Sequence, residues 1–102
     1  MLFFCPKEDP NAWKYRDNSY KTYEMCQEFV KDNLKSPSSA VFPETYSEIK
    51  RGAIKTLKDQ EYIINSYVDS QNSFGAMIRT HFIVKLKQVD ESHWRKLDEL
   101  FI

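Results

Sequence analysis

Glycine is scarce in this chain: Gly52 and Gly75 are the only two among 102 residues. A phosphate-binding loop needs several closely spaced glycines, so the sequence excludes nucleotide sites of that kind. An excess of one charge is also lacking, because Lys plus Arg and Asp plus Glu both number 15. Proteins that grip a nucleic-acid backbone carry a basic surplus, and we therefore expect no nucleic-acid partner.

Long apolar runs are absent as well. The N-terminal stretch MLFF, residues 1–4, is much shorter than a membrane span or the apolar region of a signal peptide, and no basic residues precede it. We expect no membrane span and a chain that is soluble as written. The compartment stays open at this point.

Cysteine occurs only twice, as Cys5 and Cys26. The pair permits one disulfide that would tie the N-terminal arm to the first predicted helix, worth roughly 3 kcal/mol in the chain-entropy model. The alternative is two free thiols, with Cys26 buried as a small apolar residue. The redox compartment decides between them. A catalytic cysteine is not expected, since Cys26 falls on the helix face assigned to the core, where burial silences a thiol.

Residue sets with catalytic or metal-binding spacing are missing too. His81 and His93 fall on different predicted elements, without a close ligand pair. We therefore expect no metal, no cofactor and no enzymatic activity. Adjacent acidic residues fall on predicted loops or strand edges, where they act as solvated charge: Glu8 and Asp9, Asp90 and Glu91, Asp98 and Glu99.

The chain does have 41% hydrophobic and 15% aromatic residues, enough for one compact core at this length. Residues 1–17, with two prolines and scattered charge, predict an irregular arm before a single domain at 18–102. Apolar residues then recur at three- and four-residue steps, which predicts a helix over 18–35 that Ser36 and Pro37 end. The apolar face comprises Tyr23, Cys26, Phe29, Val30 and Leu34.

The second half of the chain predicts strands. Residues 46–57, interrupted by Gly52, predict one bent strand, and residues 61–69 a strand rich in β-branched and aromatic residues. A polar turn cluster in 67–79 predicts a hairpin, and from Phe74 to Leu86 every even position except Thr80 is apolar. Residues 93–102 fit a strand or a helical turn, and the strand is favoured. The predicted fold is α+β, with one long N-terminal helix packed on a curved antiparallel sheet of three to four strands, cystatin-like in outline.

Two segments carry a resemblance: FVKDNLKSPSSAVFP at 29–43 and YVDSQNSFGA at 67–76, the latter continuing to Arg79 and Phe82. They resemble the signatures "FVK..LKSPSSA.FP" and "YVDSQNSFGA..R..F" of a largely uncharacterised group of small bacterial and phage proteins. The resemblance covers roughly residues 20–88. Members of that group often sit behind a lipoprotein leader, a membrane helix or a zinc ribbon, none of which is visible in this sequence. The resemblance implies the fold and a prokaryotic or phage origin, and it assigns no activity.

The candidate contact surface combines one strand face with the N-terminal arm. Odd positions of the long strand carry basic side chains, which would suit an acidic protein or a nucleic-acid strand, or would simply solvate the outside of the sheet. Aromatic residues on the arm are typical of interfaces, and the alternative is that they complete a small core. A neutral chain lacks repulsion between copies, which favours a protein partner or a homodimer. The candidate residues are Arg79, His81, Lys85 and Lys87 on the strand, and Trp13 and Tyr15 on the arm.

These observations predict a small non-enzymatic protein-binding module. Its small size, the missing catalytic set and the resemblance to phage proteins favour a phage-encoded inhibitor of a host defence protein, such as an anti-CRISPR, which would act in the cytoplasm. The alternative is an extracytoplasmic accessory or lipoprotein-type domain whose leader is missing from this sequence. A disulfide between Cys5 and Cys26 would favour that alternative.

Overall fold

The computed structural model describes residues 11–102. Two α-helices come before the strands in the chain, α1 at Ser19–Lys31 and α2 at Thr45–Arg51. Four strands follow, β1 at Ile54–Thr56, β2 at Glu61–Gln71, β3 at Met77–Gln88 and β4 at Trp94–Phe101. They form one antiparallel sheet in the order β1-β2-β3-β4. The α+β class and the antiparallel sheet are confirmed, with strand order equal to chain order. None of the helices within 11–102 has the length and apolar character needed to cross a membrane.

Helix α1 buries the predicted apolar face, but it is shorter than expected. Tyr23, Cys26 and Val30 are fully buried against the sheet. The helix ends at Lys31 because the following amides bond three residues back, Asn33 to the carbonyl of Val30 and Leu34 to that of Lys31, both at 3.0 Å. Such tight bonds close the last turn and stop propagation. The predicted extension to residue 35 was therefore wrong.

Helix α2 corrects the prediction of one bent strand over 46–57, and with it the expectation of a single helix. The carboxylate of Glu44 caps the helix by accepting from the amides of Tyr46 and Ser47 at 3.1 and 2.8 Å. Gly52 ends it with φ +82, a left-handed conformation that glycine adopts without strain. Gly52 therefore separates a helix from the short strand β1.

The core lies between α1 and one face of the sheet. Even-numbered residues of β2 and β3 point to that face, and their alternation with less buried neighbours matches the pleat of a half-buried sheet. The β4 segment is a strand, as favoured from its sequence, with one extra residue where the register slips opposite Lys85 and Leu86 of β3. The buried sheet residues that pack under α1 are Tyr62, Ile64, Val68, Phe82, Val84 and Leu86.

The alternation predicted from Phe74 onward holds only in the second half of β3. The strand starts at Met77, and Phe74 lies in the turn before it. From Phe82 the even positions are buried, whereas Ile78 is exposed although it has the same parity. The hairpin of β2 and β3 therefore extends beyond the part of the sheet that α1 covers.

Candidate interaction surface

The turn between β2 and β3 is fixed by one side chain. Asn72 and Ala76 pair through their backbones, with the Asn72 amide donating to the Ala76 carbonyl at 2.9 Å. The Oδ1 atom of Asn72 also accepts hydrogen bonds from the amides of Phe74 and Ala76 at 2.9 and 3.0 Å. Gly75 takes φ +83, the left-handed position expected before the second strand of a three-residue hairpin loop. Side-chain and backbone bonds therefore hold this turn without help from a core.

Three apolar side chains in this turn and at the start of β3 are exposed. Phe74 is 93% exposed, Met77 53% and Ile78 47%. Polar residues of the turn surround them, and a shallow groove runs from Phe74 and Ile78 toward Leu34 after α1 and Phe101 at the end of β4. We call Phe74, Met77 and Ile78 the hairpin tip. The phenyl ring of Phe74 is thus a large apolar group exposed on a backbone that the hydrogen bonds of Asn72 hold in place.

The loop after α1 supports the hairpin from the side. Val41 and Asp69 exchange backbone hydrogen bonds at 2.8 and 3.0 Å, and the hydroxyl of Ser39 accepts from the amide of Gln71 at 2.9 Å. These contacts join the two segments that carried the resemblance in the sequence. The signature loop therefore braces the strand that leads into the hairpin tip.

Arg79 lies on the face of the sheet opposite the core, and it is already engaged. Its guanidinium donates two hydrogen bonds to Asp69, its cross-strand neighbour, at 2.8 and 3.0 Å. The same group lies 4.0 Å from the ring centre of Tyr67. The hydrogen bond from Arg79 lowers the pKa of Asp69 from its ordinary value. His81 is exposed on the other side of Tyr67, with ring centroids 5.9 Å apart.

Lys85 and Lys87 continue the same face toward the far end of β3. The ammonium of Lys85 lies 3.1 Å from the carboxylate of Glu61, so this charge is also neutralised within the sheet. Lys87 is half-buried at the far end of the strand. Of the four side chains predicted for this face, Arg79 and Lys85 each have a carboxylate partner within the chain.

The two aromatic candidates from the arm are placed differently. Trp13 is only 7% exposed, and its carbonyl accepts from the side chain of Asn18 at 2.7 Å just before α1. Tyr15, two residues on, is 84% exposed. Trp13 and Lys14 border a groove with Lys87 and Val89, so this region lies at the end of the sheet remote from the hairpin tip.

Cys26 lies in the core, and burial raises the pKa of its thiol to about 12. A thiol held protonated in this way is a poor nucleophile at neutral pH. Cys5 lies outside the described residues, so the bridge between the two cysteines stays a prediction.

A buried polar cluster joins the helices to the centre of β2. Ser66 has one hydroxyl proton and donates it to Glu48 at 2.7 Å, so the hydroxyl of Tyr23 is the donor in its 3.2 Å bond to Ser66. Arg51 closes the cluster with bonds of 3.2 and 2.6 Å to the two oxygens of Glu48. Nothing in the sequence patterns pointed to this cluster, because Glu48 was assigned to a strand.

The cluster holds each titratable member in one protonation state at neutral pH. Burial raises the pKa of Tyr23 to about 12. The hydrogen bond from Arg51, with a further bond from Ser66, lowers the pKa of Glu48 despite its burial. Every polar member has a partner, so the arrangement serves to fix α2 on the sheet.

Comparison with protein-family models, with curated proteins and with solved structures finds no match to this chain. The resemblance drawn from the two sequence signatures, and the cystatin-like outline, therefore stay predictions. Within residues 11–102 no three His, Cys, Asp or Glu side chains come close enough to hold a metal ion.

Proposed function

We propose that this chain is a non-enzymatic protein-binding module whose main contact is the hairpin tip. One observation carries the proposal: Phe74 is 93% exposed on a turn that Asn72 fixes through two side-chain hydrogen bonds. Presenting a large aromatic group on an ordered backbone reduces the entropy lost when a partner binds. A partner of the required kind is a protein with an apolar pocket wide enough for a phenyl ring.

The basic face predicted from the sequence adjoins the tip. Arg79 is one residue from Ile78 and points to the opposite side of the same strand, with His81 beyond it. Because Arg79 is held by Asp69, a partner carboxylate would have to share or replace that bond. We assign this face, formed by Arg79, His81, Lys85 and Lys87, an orienting role beside the apolar anchor.

The specific form we propose is a phage-encoded inhibitor that blocks a host defence protein by inserting the tip into a functional pocket. The support is the small size of the chain, the sequence resemblance and the exposed anchor. An envelope-displayed accessory domain is the second candidate. It would use the same tip, and a disulfide between Cys5 and Cys26 would favour it.

Quantitative affinity capture from lysate of the native host tests the role of the tip. The purified wild-type chain is compared with Phe74→Ser and with Tyr15→Ser, a matched control in which a similarly exposed aromatic is removed at the remote end of the sheet. We expect one protein to be enriched by the wild type and by Tyr15→Ser, and lost with Phe74→Ser. Equal enrichment by all three would contradict the proposal.

A second variant separates the tip from the basic face. The triple change Arg79→Glu, Lys85→Glu and Lys87→Glu reverses the charges of that face and leaves Phe74 in place. We expect slower association, most of all at low salt, because the reversed charges repel an acidic partner, and binding should be retained at high salt, where that repulsion is screened. Unchanged association kinetics would remove the orienting role and leave the tip as the whole contact.

A further inference from the structure

The two edges of the sheet differ in length. Strand β1 offers an edge of three residues, Ile54–Thr56, whereas β4 offers eight, Trp94–Phe101. No described residue pairs with the outer edge of β4, since β3 is its one neighbour in the strand order within 11–102. A long edge is a template for another strand unless its side chains oppose pairing.

The charge order along β4 is antisymmetric. Arg95 and Lys96 precede Leu97, and Asp98 and Glu99 follow it. A parallel copy of this strand would bring like charges together, whereas an antiparallel copy brings the basic half of each strand beside the acidic half of the other. The strand is therefore complementary to itself in one direction only.

The extra residue in β4 keeps this complementarity on matching faces. Lys96 and Glu99 pair with Leu86 and Val84 of β3 and so lie on the core side, although their sequence numbers differ in parity. In an antiparallel alignment centred between Leu97 and Asp98, Lys96 faces Glu99 of the second copy. The ends of the alignment bring Trp94 opposite Phe101 of the second copy, also on the core side.

We propose that two copies of this chain pair through antiparallel β4 strands to form one continuous eight-stranded sheet. Within each copy, Lys96 lies 2.9 Å from Glu99, and pairing exchanges these two intramolecular ion pairs for two between copies, without a net gain. Arg95 makes no ion pair with any residue in the described part of the chain. In this alignment it lies opposite Leu100 of the second copy, with Asp98 of that copy as its diagonal neighbour on the same face and a new carboxylate partner. A formal net charge of zero adds no long-range repulsion.

Opposite charge reversals test the pairing. The acidic variant carries Arg95→Glu with Lys96→Glu, and the basic variant carries Asp98→Lys with Glu99→Lys. Sedimentation velocity over a concentration series should show a wild-type dimer that weakens with salt. Each variant alone should dimerise at least about tenfold more weakly, because like charges then face each other. An equimolar mixture of the two variants should restore the dimer.

Restoration in the mixture also shows that both variants fold. If either variant misfolds, hydrogen exchange on the wild type takes the place of the mixture. The β4 amides that do not bond to β3 should gain protection as concentration rises. The proposal would be overturned by a wild type that stays monomeric throughout the series. It would also be overturned by hydrogen exchange in β4 that does not depend on protein concentration. Variants that dimerise like the wild type, or a dimer that Phe74→Ser alone abolishes, would overturn it as well.

Discussion

Along the β2–β3 hairpin, side chains alternate between the two faces of the sheet from end to end. The two ends differ in whether the even-numbered side chains of β3 are buried. Near α1, the even-numbered Phe82 and Val84 are fully buried, while at the far end Ile78 stands 47% exposed on the same face. The difference is cover, because α1 ends at Lys31 and leaves the distal hairpin without a helix. Alternation therefore specifies which face a side chain takes, and the segments packed near that face decide whether it is buried. Ser70, opposite Ile78, is 4% exposed where the loop after α1 contacts β2.

The two ends are also held together by different means. The covered end relies on packing and on the buried cluster that links Tyr23, Ser66 and Glu48 across three elements. The exposed end relies on local hydrogen bonds to Asn72 inside five residues of chain. Substitutions at the covered end should therefore lower the free energy of unfolding, and substitutions at the exposed end should mainly weaken binding to a partner.

The largest expected effect is at the covered end. Phe82→Ala removes a fully buried ring in contact with Phe42 and Phe101, and it should cost about 3–5 kcal/mol of unfolding free energy through lost burial and a cavity. Urea unfolding followed by circular dichroism measures it. A loss below about 1 kcal/mol would mean that this part of the sheet is not the core.

Removing the buried carboxylate comes next. Glu48→Ala leaves the hydroxyl of Ser66 and the guanidinium of Arg51 without their acceptor, and we expect a loss of about 1–3 kcal/mol. Glu28→Ala, at an exposed position of α1, is the matched control and should change stability by less than about 0.5 kcal/mol. Equal effects for the two variants would contradict the role assigned to the cluster.

The same carboxylate should make the fold sensitive to acid. The bond from Arg51 lowers the pKa of Glu48 below its ordinary value of 4.5, so the unfolded chain takes up this proton at a higher pH than the native state. Its contribution is complete above that value and is lost as the pH falls through the lower, native pKa. Glu48→Gln should therefore lose less stability than the wild type on acidification below about pH 4.5, measured by urea unfolding at each pH. Parallel curves for the two proteins would exclude this linkage.

Changes in the turn should have smaller effects on stability. Asn72→Ala removes the acceptor for two amides and should cost about 1 kcal/mol. Gly75→Ala should cost about 1–2 kcal/mol because φ is +83, although no atom lies near the added methyl group. Urea unfolding measures both changes in the free energy of unfolding. If neither substitution lowers it, the turn is not held by the Asn72 hydrogen bonds and the left-handed Gly75.

The smallest expected effect is that of Phe74→Ala. The ring is 93% exposed, so its removal should change the unfolding free energy by less than about 0.5 kcal/mol in the same urea experiment. A loss comparable to that of Phe82→Ala would show that Phe74 packs into the protein and is not presented to a partner.

Sequence patterns predicted the elements whose signal is local and periodic. The apolar face of α1 follows from its three- and four-residue spacing, and the hairpin follows from the polar turn between two extended runs. Helix α2 was missed because its seven residues are too few for a period to show. The sequence marks the two ends of α2 by Glu44, which caps the helix, and by Gly52, which ends it. Because glycine inside an apolar segment is equally typical of a β-bulge, Gly52 did not distinguish a helix end from a bent strand.

The site could be predicted only in part for a similar reason. The basic residues of β3 were assigned to the correct strand and face, but the carboxylates that neutralise two of them depend on register. Asp69 meets Arg79 because the hairpin closes at 73–75, and a different turn would have separated them. The exposure of Phe74 depends on tertiary packing around the turn, which the alternation within the hairpin does not reveal.

Site-specific photo-crosslinking in the native host tests whether the hairpin tip is the surface that contacts a partner. A photoreactive benzoyl-phenylalanine replaces Phe74 in one variant and Tyr15 in the other, two exposed aromatic positions at opposite ends of the sheet. We expect one dominant crosslinked protein from position 74 and none shared with position 15. Identical crosslinking patterns from both positions, or no product from position 74, would contradict a binding function centred on the hairpin tip.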